Sequence, residues 1–389
     1  MSVNWQKIRN EQFPSLKKIT YIMAGSASPL SMEAYRRGVS YFEDMLYYGD
    51  IHYDDFIEQV EQTRKNVAEY LNVKPENIAF LTNTSSGMNI VARFLENGEF
   101  LYPSIEFPAS VHIFKRLKFP SIKVNDTNHR YLIENFNQYI SDKTKYIIHS
   151  HVQSLTGFRQ DLKKLGAFCE EYHILNIINA TQSFCSFNID TKNSNIDILT
   201  ANPLKWGACG YGVGILYMNP TLLSEKEIPF SSWLSVADPF YLNNENINVI
   251  NKVKYMDAFG GCSNIPALLS FTGSLDLIKY QIGKGKIKDG IKRIQERIIH
   301  LTDIFLEEIK AYNIKIITPL ETEFRSGIIT LEHQKAEKIY NDLVKNQIYI
   351  TLKRYPNVPE QTLLRFAFHY YNNENDIKRV MKVFRILNI

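Results

Sequence analysis

The sequence is poor in the features that mark special environments. It has four cysteines in 389 residues, Cys169, Cys185, Cys209 and Cys262, and no two of them form a CxxC pair. A disulfide-framed secreted domain is thereby excluded, and a zinc site has no ligand pattern to build on, so no metal is expected. No apolar run approaches the roughly twenty residues that a membrane-spanning helix needs. The first residues, MSVNWQKIRNEQ, are polar and lack the apolar core of a signal peptide. No block of lysine and arginine occurs; the net charge is only +4 and the basic residues are scattered, which gives nucleic-acid binding no support. Internal repeats and low-complexity linkers are absent. The expectation is a cytoplasmic protein with neither membrane nor nucleic acid as partner.

What is present is ordinary globular material, with 44% hydrophobic and 22% charged residues. A chain of this length predicts two or three domains. IAFL (78–81), YIIHSHV (146–152), ILNIIN (174–179), IDILTA (196–201) and VGILYM (213–218) read as buried strands. Helical spacing falls between them at Phe56–Leu71, from TNTSSGMN through Leu95, and in DLKKLGAFCEEYH (161–173). Such alternation predicts an α/β domain, a mostly parallel sheet with helices on both faces. After Asn264 the pattern changes. Residues 266–312 are mainly helical, and IKIITP, GIITLEH, YITLKR and LLRFAFHY then alternate with helices as a smaller α+β unit. The expected organisation is an N-terminal segment (1–20) packed on the small domain, a large domain (21–265) and a small C-terminal domain (266–389).

Three stretches can carry chemistry. TNTSSGMN follows a strand and opens a helix, so its free N–H groups and hydroxyls can cradle an anion; taken alone it reads first as a plain N-cap. Lys205, in ANPLKWGACGYGVG (201–214), follows a buried strand. Burial there lowers an amine pKa and frees it for a Schiff base, whereas in isolation it reads as a turn lysine. NIINATQSF (176–184) ends a strand on Asn179, Thr181 and Gln182, and strand ends of this kind point into clefts.

In combination these stretches resemble the class V aminotransferase group of fold-type-I pyridoxal-phosphate enzymes, which includes cysteine desulfurases, selenocysteine lyases, kynureninase and isopenicillin-epimerase-like proteins. GDIHYDDFIEQVEQTRKNVAEYLNV (49–73), SHVQSLTGFRQDL (150–162), NATQS, KWG and LLRFAFHYYNNENDI (363–377) occur in the family's order over nearly the whole chain. The resemblance implies pyridoxal 5'-phosphate as cofactor, with Lys205 as the lysine that bonds to it. Thr84 and Ser85 match the phosphate-binding turn. Phe107, in IEFPAS, matches a ring stacked on the cofactor, although core packing would explain it as well. Gln153 and Gln182 match partners of the cofactor's phenolic oxygen, and Arg365 matches the arginine that grips a substrate α-carboxylate. Gly261, Cys262 and Ser263 match a loop that reaches the phosphate of a neighbouring subunit, which implies a homodimer with shared sites.

Four positions depart from the family pattern: Asn179 where Asp is usual, Leu204 where His is frequent, Asn202 for Ser, and Cys262 for Thr. Asn179 is expected to face the pyridine nitrogen. An amide there brings no charge, so the ring draws electrons less strongly and ordinary transamination becomes unattractive. Residues 315–360 contain no cysteine, which argues against persulfide-forming desulfuration. The expected function is therefore a lyase, epimerase or atypical reaction on an α-amino acid. The alternative is a catalytically degenerate relative that serves as a binding or partner protein.

Overall fold

The computed structural model describes residues 3–241, 244–245, 247–356 and 358–389, Pro359 by its backbone only. The chain opens with helix α1 (Trp5–Gln12), a two-residue strand β1 (Thr20–Tyr21), and helices α2 (Met32–Tyr48) and α3 (Tyr53–Leu71). Helix α3 begins on Asp54 and Asp55, favourable at a positive helix end, and stops at Asn72, which adopts the left-handed conformation (φ 60°).

The α/β unit follows: β2 (Ile78–Leu81), α4 (Thr84–Phe94), β3 (Glu99–Pro103), α5 (Pro108–Arg116), β4 (Ser121–Val124), α6 (Ile133–Asn137), β5 (Thr144–Ser150), α7 (Leu162–Glu171), β6 (Leu175–Asn179), β7 (Ile198–Ala201) and β8 (Gly214–Met218). Its seven-stranded sheet runs β2-β8-β7-β6-β5-β3-β4. The β7-β6-β5-β3-β4 pairs are parallel, and β8 runs antiparallel to both neighbours. The sheet is buried on both faces, which explains why β2, β7 and β8 read as unbroken apolar runs. Alternate residues still serve opposite cores: Phe80 and Ile178 pack with α3, whereas Leu81 and Ile177 pack with α4 and α5.

After a short helix α8 (Thr221–Glu225), helices α9 (Ile265–Asp276) and α10 (Ile287–Ile309) lead to the smaller unit: β9 (Lys315–Ile316), β10 (Ile328–Glu332), α11 (Ala336–Lys345), β11 (Ile348–Tyr349), β12 (Thr351–Tyr355), β13 (Val358–Ala367) and α12 (Glu374–Ile386). Helix α9 packs against α2 and α3 of the large unit. Helix α10 bridges the two units: Ile287–Ile298 contribute to the core beneath the large sheet, and Leu301–Ile309 to that of the small one. The antiparallel small sheet, β12-β13-β10-β9, turns Ile329, Leu331, Leu364 and Phe366 toward its helices. Its other face, with Thr330, Thr351 and Arg365 in register, looks toward the large unit. The N-terminal segment docks on this small unit. Arg9 grips Asp376 at 2.9 and 3.0 Å, and β1 pairs with β11, with a further bridge from Met23 to Ala367.

Candidate active site

The C-terminal ends of β5, β6 and β7 and the start of α4 meet at one edge of the large sheet, where parallel α/β folds bind ligands. A cavity of about 190 Å³ opens there, and its wall brings together Thr84, Ser85, Phe107, Asn179, Gln182, Asn202 and Lys205. Asn83, Ser154 and Thr181 also line it.

At one end stands the N-terminus of α4. Asn83 caps it by accepting the N–H of Ser86 at 2.9 Å. The N–H groups of Thr84 and Ser85 have no acceptor among the described residues, and the Thr84 hydroxyl is steadied by that of Thr181 at 2.7 Å. This is a cradle for a multiply charged oxyanion. Gly214 makes room for it: a Cβ there would lie 2.6 Å from the Asn83 backbone nitrogen.

At the other end is Lys205, held between two buried neighbours, Leu204 and Trp206. The Trp206 indole lies parallel to His369, 5.7 Å between ring centroids, and donates its N–H to Gln182 Oε1 at 3.1 Å. Gln182 Nε2 in turn donates to the Gly25 carbonyl at 2.9 Å and to Ser154 Oγ at 3.2 Å, so this amide braces the lysine turn. Asn202 Oδ1 accepts the N–H of Leu204 at 3.2 Å, which fixes the same turn from its start. Lys205 Nζ has no hydrogen bond or ion pair among the described residues and lies 5.6 Å from the centroid of the Phe107 ring. Burial, with smaller contributions from Arg365 and Lys353, lowers its pKa to about 7.

Arg365 lies just behind this wall. Its guanidinium donates to the Ser154 carbonyl at 2.8 Å, to Ser154 Oγ at 3.0 Å and to Ser26 Oγ at 2.9 Å, and its Nε has no partner. No carboxylate pairs with it among the described residues, and burial lowers its pKa to about 10.

Besides Arg365, two more of the residues anticipated from sequence, Gln153 and Cys262, stand outside the wall. Gln153 is turned away, because its Nε2 donates to the buried carboxylate of Glu106 at 3.0 Å; the neighbouring Ser154 faces the cavity instead. Cys262 is exposed, in a loop that follows Ala258 and Phe259, both at positive φ (44° and 61°). Sequence reasoning missed Glu106, Ser110, Ser154 and Lys353. A lone Glu between Ile105 and Phe107 was the one available signal for Glu106. The other three have none without the fold.

The donor set fits a specific kind of ligand: an oxyanion at α4, an electrophilic carbon at an amine whose pKa is lowered to about 7, and a carboxylate at a guanidinium with no acid of its own. Among the described residues no group of three or more His, Cys, Asp or Glu could hold a metal ion, and no helix is long and apolar enough to cross a membrane.

Comparison with known proteins agrees with this architecture. The uncharacterized aminotransferase YcbU of Bacillus subtilis is 22% identical over 377 residues, 95% of this chain and 94% of its own. Isopenicillin N epimerase of Amycolatopsis lactamdurans is 22% identical over 84% of each chain. Among solved structures, the apo cysteine desulfurase of Thermococcus onnurineus superposes with a TM-score of 0.87 at 18% identity, covering 100% of this chain and 98% of that one. A variant of C-DES with glycine covalently linked to its PLP cofactor gives 0.83 at 19% identity, over 95% and 97% of the two chains. The family model for aminotransferase class-V matches residues 49–380, and the chain belongs to that family.

Proposed function

We propose that the protein is a pyridoxal-phosphate enzyme acting on an α-amino acid, by a lyase or epimerase type of reaction rather than ordinary transamination. The observation that carries this reading is Lys205: an unpaired, largely buried amine with a pKa near 7, in a cavity that a helix N-terminus lines and that a guanidinium without an acid backs through Ser154. Pyridoxal phosphate would supply an aldehyde that condenses with amines and an aromatic ring that takes up electrons from the substrate α-carbon. In this reading the N–H groups of Thr84 and Ser85 bind the phosphate, and Phe107 covers one face of the ring. Lys205 is a nucleophile when neutral, and the same amine can take a proton from the α-carbon. Arg365 holds the α-carboxylate by a two-pronged contact.

Asn179 brings no charge to the ring, and a neutral hydrogen bond is about half as strong as a charge-assisted one. That favours reactions in which negative charge on the substrate is short-lived. The buried Cys185 and Cys209 thiols do not support sulfur transfer. Burial raises Cys209 to about 12 and Cys185 well above the usual thiol value, and a reactive cysteine needs a lowered one. A degenerate, purely binding relative would have little reason to retain an unpaired amine in a buried cavity, where it costs stability.

The same proposal includes a homodimer. Exposed Tyr35, Phe42, Leu46, Tyr47 and Ile51 gather on and after α2, a concentration of apolar surface typical of an interface. The exposed Cys262 loop is then free to reach a neighbour's site. Sedimentation should give a dimer, and a stable monomer that retains cofactor tightly would count against shared sites.

The test of the central claim is chemical. Protein incubated with pyridoxal phosphate and reduced with borohydride should carry the cofactor on Lys205 by peptide mass spectrometry. Lys205→Ala should carry none. Undiminished labelling of that variant would remove the assignment.

A further inference from the structure

The wall beneath Asn179 contains a carboxylate with no cation. Glu106 is buried, and its oxygens accept five hydrogen bonds. Oε1 takes the N–H of Phe107 at 2.8 Å and the hydroxyls of Ser110 and Ser150 at 2.9 and 2.5 Å. Oε2 takes the N–H of Ser150 at 2.7 Å and the Gln153 amide at 3.0 Å. No Lys, Arg or His pairs with it among the described residues. Every one of these partners is a donor, so the hydrogen of the Ser110 hydroxyl is committed to Glu106, and the Ser110 oxygen is left to accept.

Asn179 Nδ2 donates to that oxygen at 2.9 Å, while Asn179 Oδ1 accepts the backbone N–H of Thr181 at 3.0 Å. The amide cannot be turned over. Its oxygen would then face a hydroxyl with no hydrogen to give, and its NH2 would face a backbone N–H. The orientation therefore follows from a fixed main-chain donor and from Glu106, rather than from telling nitrogen from oxygen. One N–H of Nδ2 has no acceptor among the described residues, and Asn179 lines the cavity.

We propose that Glu106 and Ser110 are positioning residues that hold the Asn179 amide with its free N–H toward the cavity, so that the ligand atom seated against it is a hydrogen-bond acceptor, an aromatic ring nitrogen without a proton. The second half of this inference rests on the reading of the cavity as a pyridoxal-phosphate site. The first half does not, since the Glu106–Ser110–Asn179 chain exists in the protein alone.

The experiment has two matching arms. In cofactor-free protein, the side-chain NH2 of Asn179 is observed by ¹H–¹⁵N NMR and assigned by its disappearance in Asn179→Ala. Its two protons should be inequivalent and slow to exchange. Ser110→Ala, a small change at a helical position, should speed that exchange by about tenfold, the scale of one lost hydrogen bond. Glu106→Gln sets an NH2 among five donors and should have an effect in the same direction. An Asn179 signal unchanged in both variants overturns the positioning role.

In the second arm, ¹⁵N-labelled pyridoxal phosphate reports its own ring nitrogen in the loaded protein. The native signal should be that of an unprotonated nitrogen. Ser110→Ala should shift it in the native background and leave it unmoved in the Asn179→Ala background. A protonated ring nitrogen in the native protein, or an equal shift in both backgrounds, overturns the inference. Failure of the native protein to retain the cofactor would instead strike the proposed function, and the cofactor-free arm would still decide the role of Glu106 and Ser110.

Discussion

Two arginines, Arg64 and Arg365, are among the largest fully buried side chains of the molecule, and they are treated in opposite ways. Arg64, on α3, is closed on every side. It forms a two-pronged pair with Asp257, donates to Glu61 at 3.2 Å and to the Ile78 carbonyl at 2.7 Å, and lies over the Phe80 ring. Burial works against its charge, yet Asp257 and Glu61 hold its pKa above the usual arginine value. Arg365, on β13, meets only neutral oxygens and keeps an unpartnered Nε, and burial pulls its pKa down to about 10. A buried charge left without its counter-charge is unfavourable unless something else supplies one. The contrast separates a cation that holds the fold together from one left without an acid, which the proposed function reserves for a substrate carboxylate.

The largest expected effect breaks the closed side of this comparison. Arg64→Ala leaves the partly buried Asp257 without its cation, beside the Phe80 N–H that it accepts at 2.7 Å. Loss of one partner from a buried pair costs about 3–5 kcal/mol; with Asp257 21% exposed the expected loss is at the low end of that range, which urea denaturation would read as a clear fall in midpoint. Arg365→Met removes a cation that has no acid to strand. Its stability should stay within about 1 kcal/mol of the parent, or exceed it. Equal losses in the two variants would erase the distinction between them.

On the open side, the next effect appears in binding instead of stability. Arg365→Lys keeps the charge but loses the planar fork, and should weaken amino-acid binding by about 1.5–3 kcal/mol, the scale of a charged hydrogen bond. Spectral titration of the loaded protein with amino acids measures it. Affinity equal to that of the parent would remove Arg365 from the carboxylate role.

The same contrast explains what could be read from the sequence. The strands IAFL and GILYM were legible because a sheet buried on both faces demands unbroken apolar runs, and Ala336–Lys345 because its apolar spacing is helical. Lys205 and Asn179 were legible because each stands at the polar end of such a run. The antiparallel direction of β8 was not, since apolar runs carry no direction. Glu106 was not, because its five partners come from α5, from the end of β5 and from the turn after it, and only the fold brings these together. The stretch between Leu95 and Lys145, which holds β3, α5, β4 and α6, has short elements of mixed polarity that yield no clear period. Nothing local in the sequence marks Arg64, for its partner Asp257 is 193 residues away.

The smallest effects concern the charge on Lys205. Its folded pKa is depressed to about 7, so the side chain is an ammonium below that value and a free amine above it. The rate of covalent capture of pyridoxal phosphate should rise with pH through about 7 and level off. The unfolded chain keeps this lysine protonated up to its ordinary value near 10.5. Between those limits the unfolded state binds the extra proton, and the contribution of this group to the stability of the cofactor-free fold rises with pH. A capture rate that keeps climbing about tenfold per pH unit from pH 6 to 9, without levelling off, would show that the amine is not depressed.

Neighbouring cations sharpen this further. Burial is the largest cause of the depression, Arg365 the second and Lys353 the third. Lys353 stands on β12 two residues after Thr351, the register partner of Arg365, so it lies diagonally from Arg365 on the same sheet face. Burial and Arg365 lower its own pKa as well. It is only partly buried, so solvent and salt screen its field more than that of Arg365. Arg365→Met should therefore move the midpoint of the capture profile upward, toward the ordinary lysine value, and Lys353→Met should move it in the same direction by less. Added salt should shrink the Lys353 difference first. The reverse order, with Lys353→Met giving the larger shift, would mean that the lysine reads the partly exposed cation more strongly than the buried one, and the account of Arg365 as the dominant unpaired charge of the site would fail.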